Sequence, residues 1–256
     1  MELFKGCTSL TKVPTLPATK LTDECYRGMF YGCTGLTKAP TLPAKTLNWA
    51  CYAEMFQNCT KLETAPNLPA TTLHSQCYKS MFQGCTSLKT APALPATTVF
   101  HESYSHMFDG CTRLVDSPDL PATTLAGSCY SNMFKGCTAL KTVPTLPATK
   151  LEEFCYYAMF QGCTNLKEIP YLPATTLVKS CYDNMFNGAV KISTSSTGSY
   201  TTRYTIPVTK SGLSGLSNPV SNMFVNTSGG YIDMPSVFGD KQTVFYLLST
   251  IKVVGN

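Results

Sequence analysis

The chain has 256 residues, 43% of them apolar, enough for a continuous core and too many for a disordered chain. Charged residues make up only 14%, the net charge is +5, and Lys and Arg are scattered, a pattern that argues against nucleic-acid binding. The most apolar late segment, Val244 to Val254, contains Ser249, Thr250 and Lys252 and is too short to cross a bilayer.

Met1-Glu2-Leu3-Phe4 leads directly into repeated sequence with no basic or apolar leader region. A surface protein is expected to carry a leader, removed or replaced by another route. A phage structural protein, released by lysis, needs none. Because Leu3-Phe4 falls in mid-unit without a cap, the chain is expected to be a fragment of a longer protein.

A fixed period runs through most of the chain. Cys25-Tyr26-x-x-Met29-Phe30-x-Gly32-Cys33-Thr34-x-Leu36 returns at Cys51, Cys77, Ser103, Cys129, Cys155 and Cys181, always 26 residues on. Most units continue as Ala39-Pro40-Thr41-Leu42-Pro43-Ala44 or a near variant, and no insertion interrupts the period from Leu3 to about Gly188.

Within each unit two elements are predicted. Cys25/Met29 and Tyr26/Phe30 place apolar residues at i and i+4, which predicts about two turns of helix with one buried face. The position two after Phe is Gly6, Gly32, Asn58, Gly84, Gly110, Gly136, Gly162 and Gly188, as a left-handed helix cap requires. Thr34-x-Leu36-x-x-Ala39 then reads as a strand, cut to about three to five residues by Pro40 and Pro43. Stacking such coils is expected to bury Leu36, Ala39, Leu42, Leu47, Met29 and Phe30, which no single unit could bury alone. The expected architecture is an α/β repeat solenoid, a right-handed coil with short parallel strands and one short helix per 26-residue unit.

After Gly188 the pattern decays, so the chain divides into tandem repeats over 1–188 and degenerate repeats with a C-terminal cap over 189–256. Ala189 stands where cysteine is expected, and Ser193 to Thr202 reads as a polar loop. Thr205-Ile206-Pro207-Val208-Thr209-Lys210 and Asn222-Met223-Phe224-Val225-Asn226 are echoes of the unit, and Val244–Val254 is expected to close the core.

Phe-x-Gly-Cys-Thr-x-Leu followed by a Leu-Pro turn resembles the BspA-like leucine-rich repeats of bacterial surface proteins. The resemblance covers about residues 1–188. It implies a leucine-rich-repeat solenoid at the cell surface or secreted, with adhesion to a host matrix or cell-surface protein, or to a glycan. The Cys-Tyr pair, where that family more often has Ile-Gly, and the doubled Pro depart from its pattern. A phage or other tail-associated structural protein on the same scaffold, and hence a virion location, is the alternative.

The thirteen cysteines allow more than one chemistry. Cys-x7-Cys is not a zinc-ligand spacing, so no metal is expected. Along a helix Cys25 and Cys33 would lie about 12 Å apart, beyond a disulfide. Bridges between units, from Cys7–Cys25 to Cys163–Cys181, would leave only Cys85 unpaired. The alternative is two ladders of small buried thiols, with Ser103 and Ala189 as small replacements. The tyrosine column from Tyr26 to Tyr182 is expected to pack on the scaffold with its hydroxyls at the surface. His101, His106, Asp109 and Cys111 crowd one unit without an i, i+4 histidine pair, and no Gly-x-Ser-x-Gly, phosphate loop or dinucleotide fingerprint occurs. No catalytic residue and no cofactor are therefore expected, and the chain should act as a non-enzymatic monomer.

A solenoid recognises its ligand through columns that vary while the scaffold repeats. Two flank the strand. One contains Lys38, Thr64, Thr90, Asp116, Thr142 and Glu168, the other Asn67, Asp119 and Tyr171. These nine residues are the candidate ligand-binding face.

Overall fold

Half of the backbone donors in each Cys-Tyr-x-x-Met-Phe segment leave their own coil. In the computed structural model, which describes residues 2–192, 204–205, 219–227, 230–233 and 251–253, the amides of Glu24, Tyr26, Gly28, Phe30 and Gly32 donate to the carbonyls of Trp49, Cys51, Ala53, Met55 and Gln57 in the next coil. The intervening amides of Cys25, Arg27, Met29, Tyr31 and Cys33 donate three residues back, to Thr22, Glu24, Tyr26, Gly28 and Phe30. The same alternation recurs between the following coils, as from Tyr78 to Ser103 and from Tyr130 to Cys155.

The predicted helix is therefore corrected. Among the described residues there is no α-helix, and the segment is a run of overlapping β-turns. Its backbone turns left-handed every fourth residue, at Glu24, Gly28 and Gly32 in one coil and at Gln76, Ser80 and Gly84 in another. The predicted glycine cap positions do take positive φ, from Gly6 at 74° to Gly188 at 76°, but as the third residue of a turn. A helix of this length is marginal in isolation. Turns free every second amide to bond the neighbouring coil, and that offsets about 1–2 kcal/mol for each non-glycine left-handed residue.

The predicted strands shrink to single-residue bridges. Lys38 pairs in parallel with Thr64, Thr64 with Thr90 and Thr90 with Asp116, and a second series joins Thr46 to Thr72 and Thr98 to Thr124. The proline two residues after each of Lys38, Thr64, Thr90 and Asp116 stops the ladder from extending.

The core is a set of columns, each made by one position of the repeat. Phe30, Phe56, Phe82, Phe108, Phe134, Phe160 and Phe186 are wholly buried, and neighbouring rings stack with centroids 5.5–5.7 Å apart. Met, Leu and both cysteine positions make parallel columns in the same cluster. Residues 219–227 continue the stack. Phe224 lies 5.4 Å from Phe186, and the amides of Tyr182, Asn184, Phe186 and Gly188 donate to Pro219, Ser221, Met223 and Val225. The echo Met223-Phe224 thus occupies the Met-Phe position of a further coil.

In the same part of the chain β1 (Tyr204–Thr205), β2 (Gly230–Asp233) and β3 (Ile251–Val253) form a parallel three-stranded sheet in the order β1-β2-β3. In the backbone register Tyr204 pairs with Ile232 and Tyr231 with Lys252. The predicted Ser193–Thr202 loop, the echo 206–210 and the part of Val244–Val254 outside β3 lie outside the described residues. No helix among the described residues is long and apolar enough to cross a membrane.

Candidate functional site

The alternation of buried Leu and Pro with exposed polar residues sets the candidate face. Leu36 and Pro40 are buried while Lys38 between them is exposed, and the same holds for Leu62, Thr64 and Pro66. All nine predicted residues are exposed: Lys38, Thr64, Thr90, Asp116, Thr142, Glu168, Asn67, Asp119 and Tyr171. The parallel bridges bring Lys38, Thr64, Thr90 and Asp116 into one continuous row. Thr142 adjoins that row through its hydroxyl, which accepts the Ser117 amide at 3.0 Å. Glu168 holds the same repeat position further along. Tyr171 is 70% exposed, unusual for a large aromatic in a chain that buries six tyrosines completely. Asn67 stands at the rim of a shallow groove lined by Pro40, Leu42, Pro43 and Pro66.

The face is polar and changes sign along its length, from Lys38 to Asp116 and Glu168. Beside it the Lys89 ammonium meets the Glu63 carboxylate at 3.0 Å, both side chains about half exposed. A pair of this kind holds little stability, so these charges stay accessible to a ligand.

The thirteen cysteines are all free. Cys7 is exposed, Cys25 half-buried and the other eleven buried. The Gly-Cys column is turned inward, where Cys33, Cys59, Cys85, Cys111, Cys137 and Cys163 donate their thiols to phenylalanine carbonyls of the preceding coil at 3.0–3.2 Å. Burial pushes the Cys59 and Cys163 thiols up to about 12, far from a reactive thiolate.

The tyrosine column is corrected in one respect. The rings stack at 5.6–5.9 Å as expected, but the hydroxyls of Tyr52, Tyr78 and Tyr104 are buried and have no hydrogen-bond partner among the described residues. Desolvation holds the Tyr78 hydroxyl well above its ordinary value. The column lies deeper than a surface stripe and is closed to a sugar.

His106, Asp109 and Cys111 do not converge on one point. His106 Nδ1 lies 2.9 Å from Asp109 Oδ2, whereas Cys111 turns its thiol to the Phe82 carbonyl. Asp109 also accepts from Gln83, which in turn accepts from Gln57, so the outer edge of the turns carries a chain of side-chain bonds. Among the described residues no three His, Cys, Asp or Glu side chains are grouped to hold a metal ion.

Sequence reasoning missed a second exposed set. Trp49 (37% exposed) and Phe100 (40%) lie at the entry to the turns, off the predicted face. The available signal was an aromatic at each of two neighbouring repeat positions, Trp49 where other coils carry Asp23 or Ser75 and Phe100 where others carry Asn48 or Ala126.

The family described as BspA type Leucine rich repeat region matches residues 1–115 and 103–205, in six copies. A leucine-rich cell surface protein of Faecalibacterium prausnitzii A2-165 is similar at 17% identity and a TM-score of 0.37, over 99% of this chain and 68% of that one. A leucine-rich repeat protein of Bacteroides ovatus ATCC 8483 is similar at 15% identity and a TM-score of 0.29, over 98% and 85%. No curated protein matches. Repeats of this kind generally serve interaction and are generally not enzymes. With more than half of its length matched, and a 26-residue coil whose Leu, Phe and Cys columns stack in register, the chain belongs to the BspA-type leucine-rich repeat family.

Proposed function

We propose that the chain is a non-enzymatic recognition module of a cell surface or secreted protein, binding a protein or glycan ligand along the Lys38–Glu168 face. The observation that carries this is the bridged row Lys38, Thr64, Thr90, Asp116, whose exposed side chains differ in chemistry while the backbone beneath them repeats. A rigid row of unlike side chains is what a scaffold needs to read an extended ligand, and the change of sign along it can set the ligand's register. We also propose that 189–256 caps the repeats of 1–188, a role supported by the seat of Phe224 on Phe186.

The test is a binding screen of the chain against immobilised matrix proteins and glycans, followed by variants. Asp116→Asn, Asp119→Asn and Glu168→Gln together should weaken binding by about tenfold, with folding nearly unchanged at these exposed sites. Matched changes on the turn edge, Gln57→Ala, Gln83→Ala and Gln161→Ala, should do little. Loss of binding with the glutamine set alone would move the ligand to the other side.

A further inference from the structure

At the entry to the turns, two neighbouring repeat positions hold a stepped set of side chains. In successive coils the first reads Asn48, His74, Phe100, Ala126, Glu152 and the second Trp49, Ser75, His101, Gly127, Glu153. The His74 and Phe100 rings lie parallel, with centroids 6.1 Å apart and 6° between planes. His74 Nδ1 accepts the Ser75 amide at 2.8 Å, which fixes the ring. Phe100 is still 40% exposed with His74 on one side. The coil on its other side offers only Ala126 and Gly127.

A layer nearly empty of side chains therefore separates Phe100 and His101 from Glu152 and Glu153. Coils are spaced here by the Tyr104–Tyr130 stack at 5.6 Å, so the missing layer leaves room for a flat group. The fold does not demand this gap. Gly127 has no positive φ, and a Cβ placed on it would meet the Glu153 carbonyl at 3.5 Å and His101 Cδ2 at 3.6 Å, both ordinary contacts.

The carboxylates beside the gap are not held in ion pairs. Among the described residues neither Glu152 nor Glu153 makes a salt bridge, and Lys179, at the next position beyond Glu153, has its ammonium over the Phe154 ring at 5.3 Å. Glu102, by contrast, is held by Lys79 at 2.8 Å and by Gln76 at 2.6 Å, which takes it out of play.

We propose that this notch receives an arginine side chain of a partner protein. Its guanidinium would stack on the open face of Phe100 and donate to the Glu152 and Glu153 carboxylates, combining cation–π attraction with charge-assisted hydrogen bonds. A planar guanidinium fits a one-layer gap better than a compact ammonium does, and lysine should bind less well. A neutral sugar ring could use the Phe100 face but would leave both carboxylates without a counter-charge.

The test uses the full chain, titrated calorimetrically at physiological salt with hexa-arginine, hexa-lysine, hexa-glutamate and a neutral hexasaccharide. Hexa-arginine should bind best. Gly127→Leu, which fills the layer, and the pair Glu152→Gln with Glu153→Gln should each weaken it by about tenfold, and Phe100→Ala by about fivefold. The pair Asp116→Asn with Asp119→Asn should leave it unchanged, which separates this site from the Lys38–Glu168 face. The two Glu→Gln changes are isosteric, at an exposed Glu153 and a half-buried Glu152, so they remain decisive if Gly127→Leu alters folding. Four results would overturn the proposal: no hexa-arginine binding at millimolar concentration, preference for the hexasaccharide, unchanged binding in the Glu152→Gln and Glu153→Gln pair, or equal weakening by the aspartate pair.

Discussion

The thiol of Cys59 donates to the carbonyl of Phe30 at 3.1 Å, and that carbonyl also accepts the Cys33 amide at 3.1 Å. One oxygen thereby joins two coils. A thiol suits the position because it packs as a small apolar group yet offers a weak donor.

Thiol accessibility follows directly. A thiol reagent at neutral pH should find Cys7 readily, Cys25 slowly and the eleven buried cysteines hardly at all. Unfolding without reductant should then expose close to thirteen thiols. A count near one after unfolding would establish the bridged alternative, Cys7–Cys25 through Cys163–Cys181.

Stability should fall in alkali. In the folded chain burial raises Cys51, Cys59, Cys129, Cys163 and Cys181 to about 12. Unfolded thiols ionise near about 8.5, so above that pH the unfolded state binds fewer protons and is favoured. The contribution is complete below pH ~8.5 and is lost as pH rises toward about 12, at up to about 1.4 kcal/mol per pH unit for each thiol. Urea midpoints measured from pH 7 to 10.5 should be level at first and then drop. A flat profile would contradict the burial.

Tyr78→Phe should stabilise the chain. Its hydroxyl is buried without a partner among the described residues, and removing such a group relieves about 1 kcal/mol while keeping the ring stack. The same change at Tyr52 and Tyr104 should act in the same direction. Loss of stability in denaturant titration at all three would mean that the hydroxyls are satisfied in solution.

Ser128→Gly separates turns from helix. Ser128 has φ of 55° and is half-buried, so glycine there should raise stability by about 0.5–1 kcal/mol. In a helix the same substitution would cost about 0.5–1 kcal/mol.

Removing 189–256 should cause aggregation or a large loss of stability, since the Phe186 ring would lose Phe224 and face water at about 25 cal/mol per Å² of apolar surface. A soluble and equally stable 1–188 fragment would show an independent domain instead.

Much of the fold was legible in the sequence because the period aligns chemistry into columns. Phe, Met, Leu and Cys at fixed positions are core residues from Met29 onward, with the earlier Cys7 exposed and Cys25 half-buried, and the nine predicted surface residues are all exposed. The helix was not distinguishable. Cys25/Met29 and Tyr26/Phe30 recur every four residues, which two helical turns and a pair of linked β-turns satisfy equally. What decides is where the amides of Tyr26 and Phe30 go, and that depends on the next coil. The depth of the tyrosine column was hidden for a similar reason, since a recurring ring shows stacking but not distance from water. The Phe100 notch escaped because it exists only in the mismatch between Phe100, Gly127 and Glu153, three coils that share no motif there.

The bonds that tie Tyr26 to Cys51 and Phe30 to Met55 run along the axis of the stack. A pulling force applied along that axis meets each interface in series, not in parallel, so the weakest layer carries the whole load and opens first. Each coil that peels away releases 26 residues, about 90 Å of thread. The stack therefore yields to tension in steps, lengthening layer by layer while the remaining coils keep their shape.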